Sequence, residues 1–201
     1  MHSYSIDSNE RKYVPFLLTL LAILLAWLLH IMLKLVNFAM PWWIDAPSVM
    51  GFYGLLCFAF DSFLWKIKVL HSIGVVRIPN FNGIWTGCVL SSFSQHGDNH
   101  MGELIIRQSW SNISIVLESD LSKSYSIAAS ISINNPYGTT LSYTYINEPK
   151  PTAGSSMHGH RGTCELIYRG NSFEGEYYSG RDRQNYGTLL FKKEKPKSGK
   201  K

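Results

Sequence analysis

The sequence predicts an all-β fold, an antiparallel barrel of about eight strands, preceded by two transmembrane α-helices. Three observations carry this reading. Residues 14–33 contain no Asp, Glu, Lys or Arg. Residues 124–133 alternate with period two: Tyr125, Ile127, Ala129, Ile131 and Ile133 fall on one face, and Ser124, Ser126, Ala128, Ser130 and Ser132 on the other. Only a strand separates them so cleanly. Turn signals then recur through the second half, at Gly97-Asp98-Asn99, Asn134-Asn135-Pro136, Gly170-Asn171 and Ser179-Gly180.

The first apolar run, at a rise of 1.5 Å per residue, spans about 30 Å, the thickness of the hydrocarbon core. It ends in Lys34 and is followed by Pro41, Trp42 and Trp43, without the small-residue cleavage site of a signal peptide. The second run, residues 47–65, is interrupted by Asp61, five residues before Lys66. Two placements stand for Asp61: near the interface, or lining an intersubunit or aqueous path, since a lone acid at the bilayer centre is costly. Trp42, Trp43 and Trp65 suit the two aromatic belts. Arg11 and Lys12 precede the first helix, Lys66, Lys68 and Arg77 follow the second, and the short loop holds only Lys34 at its edge. The positive-inside bias therefore predicts a multi-pass protein with both termini and the barrel in the cytoplasm.

The expected division is a cytoplasmic segment at 1–13, helices at 14–33 and 47–65 around a periplasmic loop at 34–46, a linker at 66–79, a ligand-binding barrel at 80–193 and a basic tail at 194–201. Strands are expected near 83–92, 103–109, 112–118, 124–133, 140–146, 161–168, 173–178 and 186–193. Eight strands can close and so remove exposed edges; a two-sheet sandwich is the alternative. The formal charge is +5, concentrated in the tail lysines from Lys192 to Lys201. The tail reads as a solvated end or as a contact for anionic lipid. It lacks the interleaved aromatics of a nucleic-acid surface, so no direct DNA or RNA binding is expected. Cys57, Cys88 and Cys164 form no CxxC and give an odd count, which suits a reducing compartment.

No catalytic constellation stands out. No Ser sits in a GxSxG elbow. His158, His160 and Cys164 have a spacing that a metal could use but lack a fourth ligand, so no metal or cofactor is expected. Glu174 and Glu176 share a strand face, as an acid pair or as a solvated face. Two stretches are richer. Tyr143, Tyr145 and Asn147 lie in one, and Tyr178, Arg181, Arg183 and Tyr186 in the other. Aromatic faces, amides and guanidinium groups together suit a nucleotide: stacking, base edges and phosphate. The plainer reading of the second stretch is a charged hairpin turn with Asp182 paired internally. Gly83-Ile84-Trp85 resembles the G-x-W at the start of lipocalins, which makes Trp85 a candidate plug for a lipocalin-like barrel.

The helix pair, FNGIWTGCVLSSFSQ at 81–95, YTYINEPKP at 143–151, HRGTCELIY at 160–168 and GEYYSGRDRQNYGTLLFK at 175–192 together resemble a known family. It comprises the two-transmembrane, β-strand-rich effectors of CBASS antiphage systems, CD-NTase-associated protein fifteen. The resemblance implies a bacterial inner-membrane effector, not an enzyme, whose barrel binds a 3',3'-type cyclic dinucleotide made by a cognate CD-NTase. Binding would drive homo-oligomerisation through the helices, disrupt the bilayer and kill the infected cell. Placed in these motifs, Arg181 and Arg183 would neutralise the two phosphates, Tyr143, Tyr145, Tyr178 and Trp110 would stack bases, and Asn147 would read a base edge. A membrane-tethered binder of an apolar ligand and a phosphate- or lipid-directed enzyme are the competing readings.

Overall fold

A computed structural model describes residues 1–37, 42–92, 99–151, 158–180 and 184–194. The chain divides into two compact units: Ser8–Arg77, and Met1–Asp7 together with Ile78–Lys201.

In the first unit, helix α1 spans Glu10–Leu35 and helix α2 spans Trp42–Ser62, followed by a single 3-10 turn and a short helix α3 at Lys68–Ser72. The 26 residues of α1 reach about 39 Å, enough to cross a bilayer. Phe16, Leu20, Ile23, Leu24, Trp27 and Met32 are exposed along it. Only 11% of its most apolar window is buried, which is the opposite of a soluble core helix. Asp61 lies in the last turn of α2. The start of α1 is tied to the end of the unit by polar groups. The buried Glu10 carboxylate accepts the Arg77 N–H at 2.7 Å, and the Tyr13 hydroxyl donates to the carbonyls of Val75 at 2.8 Å and Gly74 at 3.2 Å.

The second unit is a closed barrel. Its strands are β1 (His2–Ile6), β2 (Gly83–Ser91), β3 (Asn99–Gln108), β4 (Asn112–Ser119), β5 (Ser122–Ser132), β6 (Thr140–Pro149), β7 (His160–Tyr168), β8 (Ser172–Ser179) and β9 (Tyr186–Lys193), in the order β1-β4-β3-β2-β9-β8-β7-β6-β5. Strands β2 to β9 form the antiparallel meander that alternation and turn signals predict. β3 begins four residues earlier than expected, and β6 runs on through the aromatic stretch to Pro149.

The ninth strand is the difference. β4 and β5 pair directly only at Val116–Tyr125, Leu117–Ser124 and Glu118–Lys123. Below that they part, and β1 fills the gap. It runs antiparallel to β4 at His2 and Ser3 and parallel to β5 from Tyr4 to Ile6. A strand inserted between two antiparallel neighbours must be parallel to one of them. Residues 2–6 therefore belong to the barrel, although the chain reaches its other strands only after residue 82. Tyr4 is 3% exposed, and its hydroxyl donates to the Trp110 carbonyl at 2.9 Å while accepting from Gln108 Nε2 at 3.3 Å. Asp7 closes the segment, accepting from the Ser132 hydroxyl and from the amides of Ile133 and Asn134.

The same region overturns the face assignment in β5. The pairing of β5 with β6 shifts between Ser126 and Ala128. One extra residue, a β-bulge, reverses the alternation from that point. Ser124 and Ser126 therefore point inward before the bulge, and Ala129 and Ile131 after it, while Tyr125 and Ile127 are exposed. Ser126 compensates for the parted ladder: its hydroxyl accepts the Ile115 N–H at 3.0 Å and meets His2 Nε2 at 2.7 Å.

The core is concentrated at the end where β2 begins. Trp85, Phe81, Phe173, Phe191, Leu104, Ile106 and Leu166 are buried there. Trp85 and Phe173 stand 4.5 Å apart by ring centroids and Phe81 and Phe173 5.1 Å, both within the range of favourable aromatic pairs. Trp85 Nε1 donates to the Phe81 carbonyl at 3.0 Å, and Lys193 Nζ lies 4.9 Å from the Trp85 ring.

Candidate ligand-binding site

The inward row of β6 is Leu141, Tyr143, Tyr145 and Asn147, all buried. It changes from apolar to polar as β6 approaches β7, at the end of the barrel opposite Trp85. Register places Ser124 of β5 and His160 of β7 on either side of Asn147. The Tyr145 ring crosses β7 at Gly162, where an added Cβ would collide with the Tyr145 hydroxyl and the Tyr178 carbonyl. Glycine at 162 is thus what allows the aromatic ring to lie against the strand backbone. Tyr145 and His160 meet edge-on, with centroids 6.4 Å apart. Two flat faces, a hydroxyl and an amide converge here.

Asn147 is 7% exposed, and its Nδ2 has no hydrogen-bond partner among the described residues. A buried donor without an acceptor costs about 1–3 kcal/mol, and native interiors rarely tolerate one. Deeper in the same row, Tyr143 and Cys164 are cross-strand partners and hydrogen-bond to each other. Burial pushes the Cys164 thiol up to about 12, although its bond to Tyr143 acts the other way. Burial likewise raises Tyr143, with Cys164 adding to the effect. Both remain neutral at physiological pH, so Cys164 stands there as a buried thiol rather than a thiolate. Among the described residues no three His, Cys, Asp or Glu side chains gather as a metal site requires.

The structure brings together some of the residues that the sequence singles out and separates others. Tyr143, Tyr145 and Asn147 share one inward row. Trp110 does not join them. It occupies the β3–β4 turn, at the opposite end of the barrel, where its carbonyl serves Tyr4. Tyr178 also stands apart: alternation in β8 turns it outward, 53% exposed, with its hydroxyl donating to Glu176 at 2.6 Å. That bond and the nearby charge raise its pKa. Tyr178 instead borders an open groove of about 450 Å³ on the outer face of β5–β8, with Ser130, Ser142, Thr144, Thr163 and Glu165. Arg181 and Arg183 lie outside the described residues, in the connection from β8 to β9, which leaves the barrel at the Asn147 end. Ser124, His160 and Gly162 are the residues of this end that residue chemistry did not pick out. From sequence, His160 stands out only for metal or enzyme chemistry, and Ser124 only as one of the row opposite Tyr125. The bulge that turns Ser124 inward leaves no local signal in the alternation.

Comparison with known proteins adds a second line of evidence. The family model described as Cap15, cyclic dinucleotide receptor domain, matches residues 76–193, and the model described as Cap15, TM helices, matches residues 12–66. Among curated proteins, the CD-NTase-associated protein 15 of Yersinia aleksiciae is 34% identical over 146 residues, covering 71% of this chain and 67% of that protein. The CD-NTase-associated protein 15 of Staphylococcus schleiferi is 28% identical over 152 residues, covering 75% and 80%.

Proposed function

Because the chain belongs to the Cap15 family, with both its receptor and its membrane-helix models matched, we propose that it is a CBASS effector: a membrane-anchored receptor for a cyclic dinucleotide made by a cognate CD-NTase. The observation that carries the proposal is the receptor-domain match over residues 76–193, coincident with a barrel mouth that holds an unpartnered buried amide. The ligand is of the 3',3' type and enters at the Asn147 end. Tyr145 and His160 offer faces for a base, and Arg181 and Arg183, in the adjoining connection, match the two phosphates. Tyr143 supports this surface from below. Trp110 and Tyr178, placed elsewhere, are not part of it.

The output is membrane damage. Ligand binding favours assembly of several copies through α1 and α2 in the inner membrane, with both termini and the barrel on the cytoplasmic side, as the positive flanks require. To move such a switch from 1:99 to 99:1, the ligand must bind the assembled state about 5.5 kcal/mol more tightly than the resting one. The protein needs no turnover for this, and the nucleotide leaves intact.

Titration of the full chain in detergent with 3',3' cyclic dinucleotides tests the proposal. Tight binding is expected for wild type and its loss for Arg181→Ala with Arg183→Ala. Unchanged affinity in the double variant would remove the arginines from the site, and chromatographic recovery of hydrolysed nucleotide would remove the receptor reading in favour of an enzyme.

A further inference from the structure

The amide of Asn147, unpartnered among the described residues, is buried near the end of the barrel opposite Trp85, 7% exposed. Its cross-strand neighbours are Ser124 and His160, and its inward neighbour on the same strand is Tyr145. None of these described neighbours is Lys, Arg, Asp or Glu. Burying an anionic oxygen beside uncharged side chains such as these is costly. A neutral acceptor set in a planar ring is not, because Tyr145 and His160 supply aromatic surface on the same side. Resting on the receptor reading above, we infer that Asn147 determines base preference. Its Nδ2 donates to an acceptor atom on the edge of one base of the ligand, and the phosphates are held elsewhere.

The orphaned donor makes this selective in a way that an exposed asparagine would not be. The protein already carries the cost of desolvating Nδ2. A base presenting a carbonyl oxygen or ring nitrogen at that point removes the cost, and a base presenting an N–H leaves it in place and adds a second unpaired donor. The expected discrimination is about 10-fold to 100-fold. The same reasoning gives the free protein an unusual property. Replacing Asn147 by an apolar residue of similar size weakens ligand binding without weakening the fold, because no internal hydrogen bond is lost.

The test uses the full chain in detergent, as wild type, Asn147→Leu and Asn147→Asp, against 3',3' cyclic dinucleotides that carry adenine, guanine or uracil. Melting of the free proteins is measured alongside calorimetry. Asn147→Leu is expected to melt at or above the wild-type temperature. It should lose about 10-fold to 100-fold in affinity for the preferred ligand, and the spread of affinities among the bases should collapse. Asn147→Asp, which exchanges the donor for an acceptor, should lose at least as much. A marked fall in melting temperature for Asn147→Leu would show that the amide is a structural bond and overturn the inference. So would an equal loss for every base, which would assign the contact to the sugar-phosphate frame. If wild type binds none of the panel, the receptor reading fails and the inference with it. If wild type binds and Asn147→Leu binds equally well with the same preferences, only the inference fails.

Discussion

The N-terminal strand gives the sharpest test of the architecture, because five residues ahead of α1 are asked to complete a barrel whose other strands begin at residue 83. Tyr4 is the residue to change. It is 3% exposed and its hydroxyl serves Trp110 and Gln108. Tyr4→Phe keeps the ring but leaves the part-buried Trp110 carbonyl and the buried Gln108 amide each short of a partner, a cost of about 1–3 kcal/mol. Tyr4→Ala also empties the space of the ring, which raises the cost to about 3–5 kcal/mol. Ser5→Ala, on the exposed face of the same strand, should stay within about 0.5 kcal/mol of wild type. With a urea dependence of about 1–3 kcal/mol per molar, Tyr4→Phe should lower the unfolding midpoint of the full chain by about 1 M and Tyr4→Ala by clearly more. Hydrogen exchange over residues 1–8 and 112–132 localises the effect. Fast exchange should appear in both segments together, because β1 bridges β4 and β5. If Tyr4→Ala unfolds at the same midpoint as Ser5→Ala, β1 is not a strand of the folded barrel and the closure described above is wrong.

Two further substitutions probe the site and its supports. Gly162→Ala puts a Cβ against Tyr145 and the Tyr178 carbonyl. Overpacking of this kind costs about 1–3 kcal/mol and displaces the ring, so both the unfolding midpoint and the nucleotide affinity should fall; a variant as stable as wild type would mean that the strands do not approach so closely. Asp7 is pushed up by burial, but the Ser132 hydroxyl and the amides of Ile133 and Asn134 outweigh this and hold its pKa below the ordinary 3.8. A depressed carboxyl stabilises the fold above its unfolded value and ceases to do so as pH falls through the folded value. Asp7→Asn should therefore be less stable than wild type at neutral pH, with the difference closing below about pH 4 in acid-unfolding curves; a gap that persists unchanged at lower pH would assign it to lost geometry rather than charge.

Part of the candidate site is legible in the sequence because its chemistry is local. Tyr143, Tyr145 and Asn147 sit at alternate positions of one strand, and period two alone puts them on one face. Trp110 and Tyr178 were grouped with them by residue type, and type carries no position. Trp110 stands at the other end of the barrel because β3 turns there, and Tyr178 points outward because it is one residue out of phase with Tyr177. His160 and Ser124 enter the site through pairing with β6, a relation between segments about 13 and 23 residues from Asn147 that no local window contains.

The sequence by itself determined the two kinds of element and their order. An uncharged apolar run of bilayer length admits only a helix in lipid, and short alternating runs between turn residues admit only strands. Its motifs also pointed to the family. Tertiary structure decided the phase and the closure. One extra residue near Ile127 reverses which side of β5 faces inward, because side-chain direction depends on counting residues along the ladder and the count is set by the partner strand. The place of β1 is likewise set only by the parting of β4 from β5. Five residues have little to fix their position except the unpaired backbone groups of other strands, and those exist only once the barrel has formed.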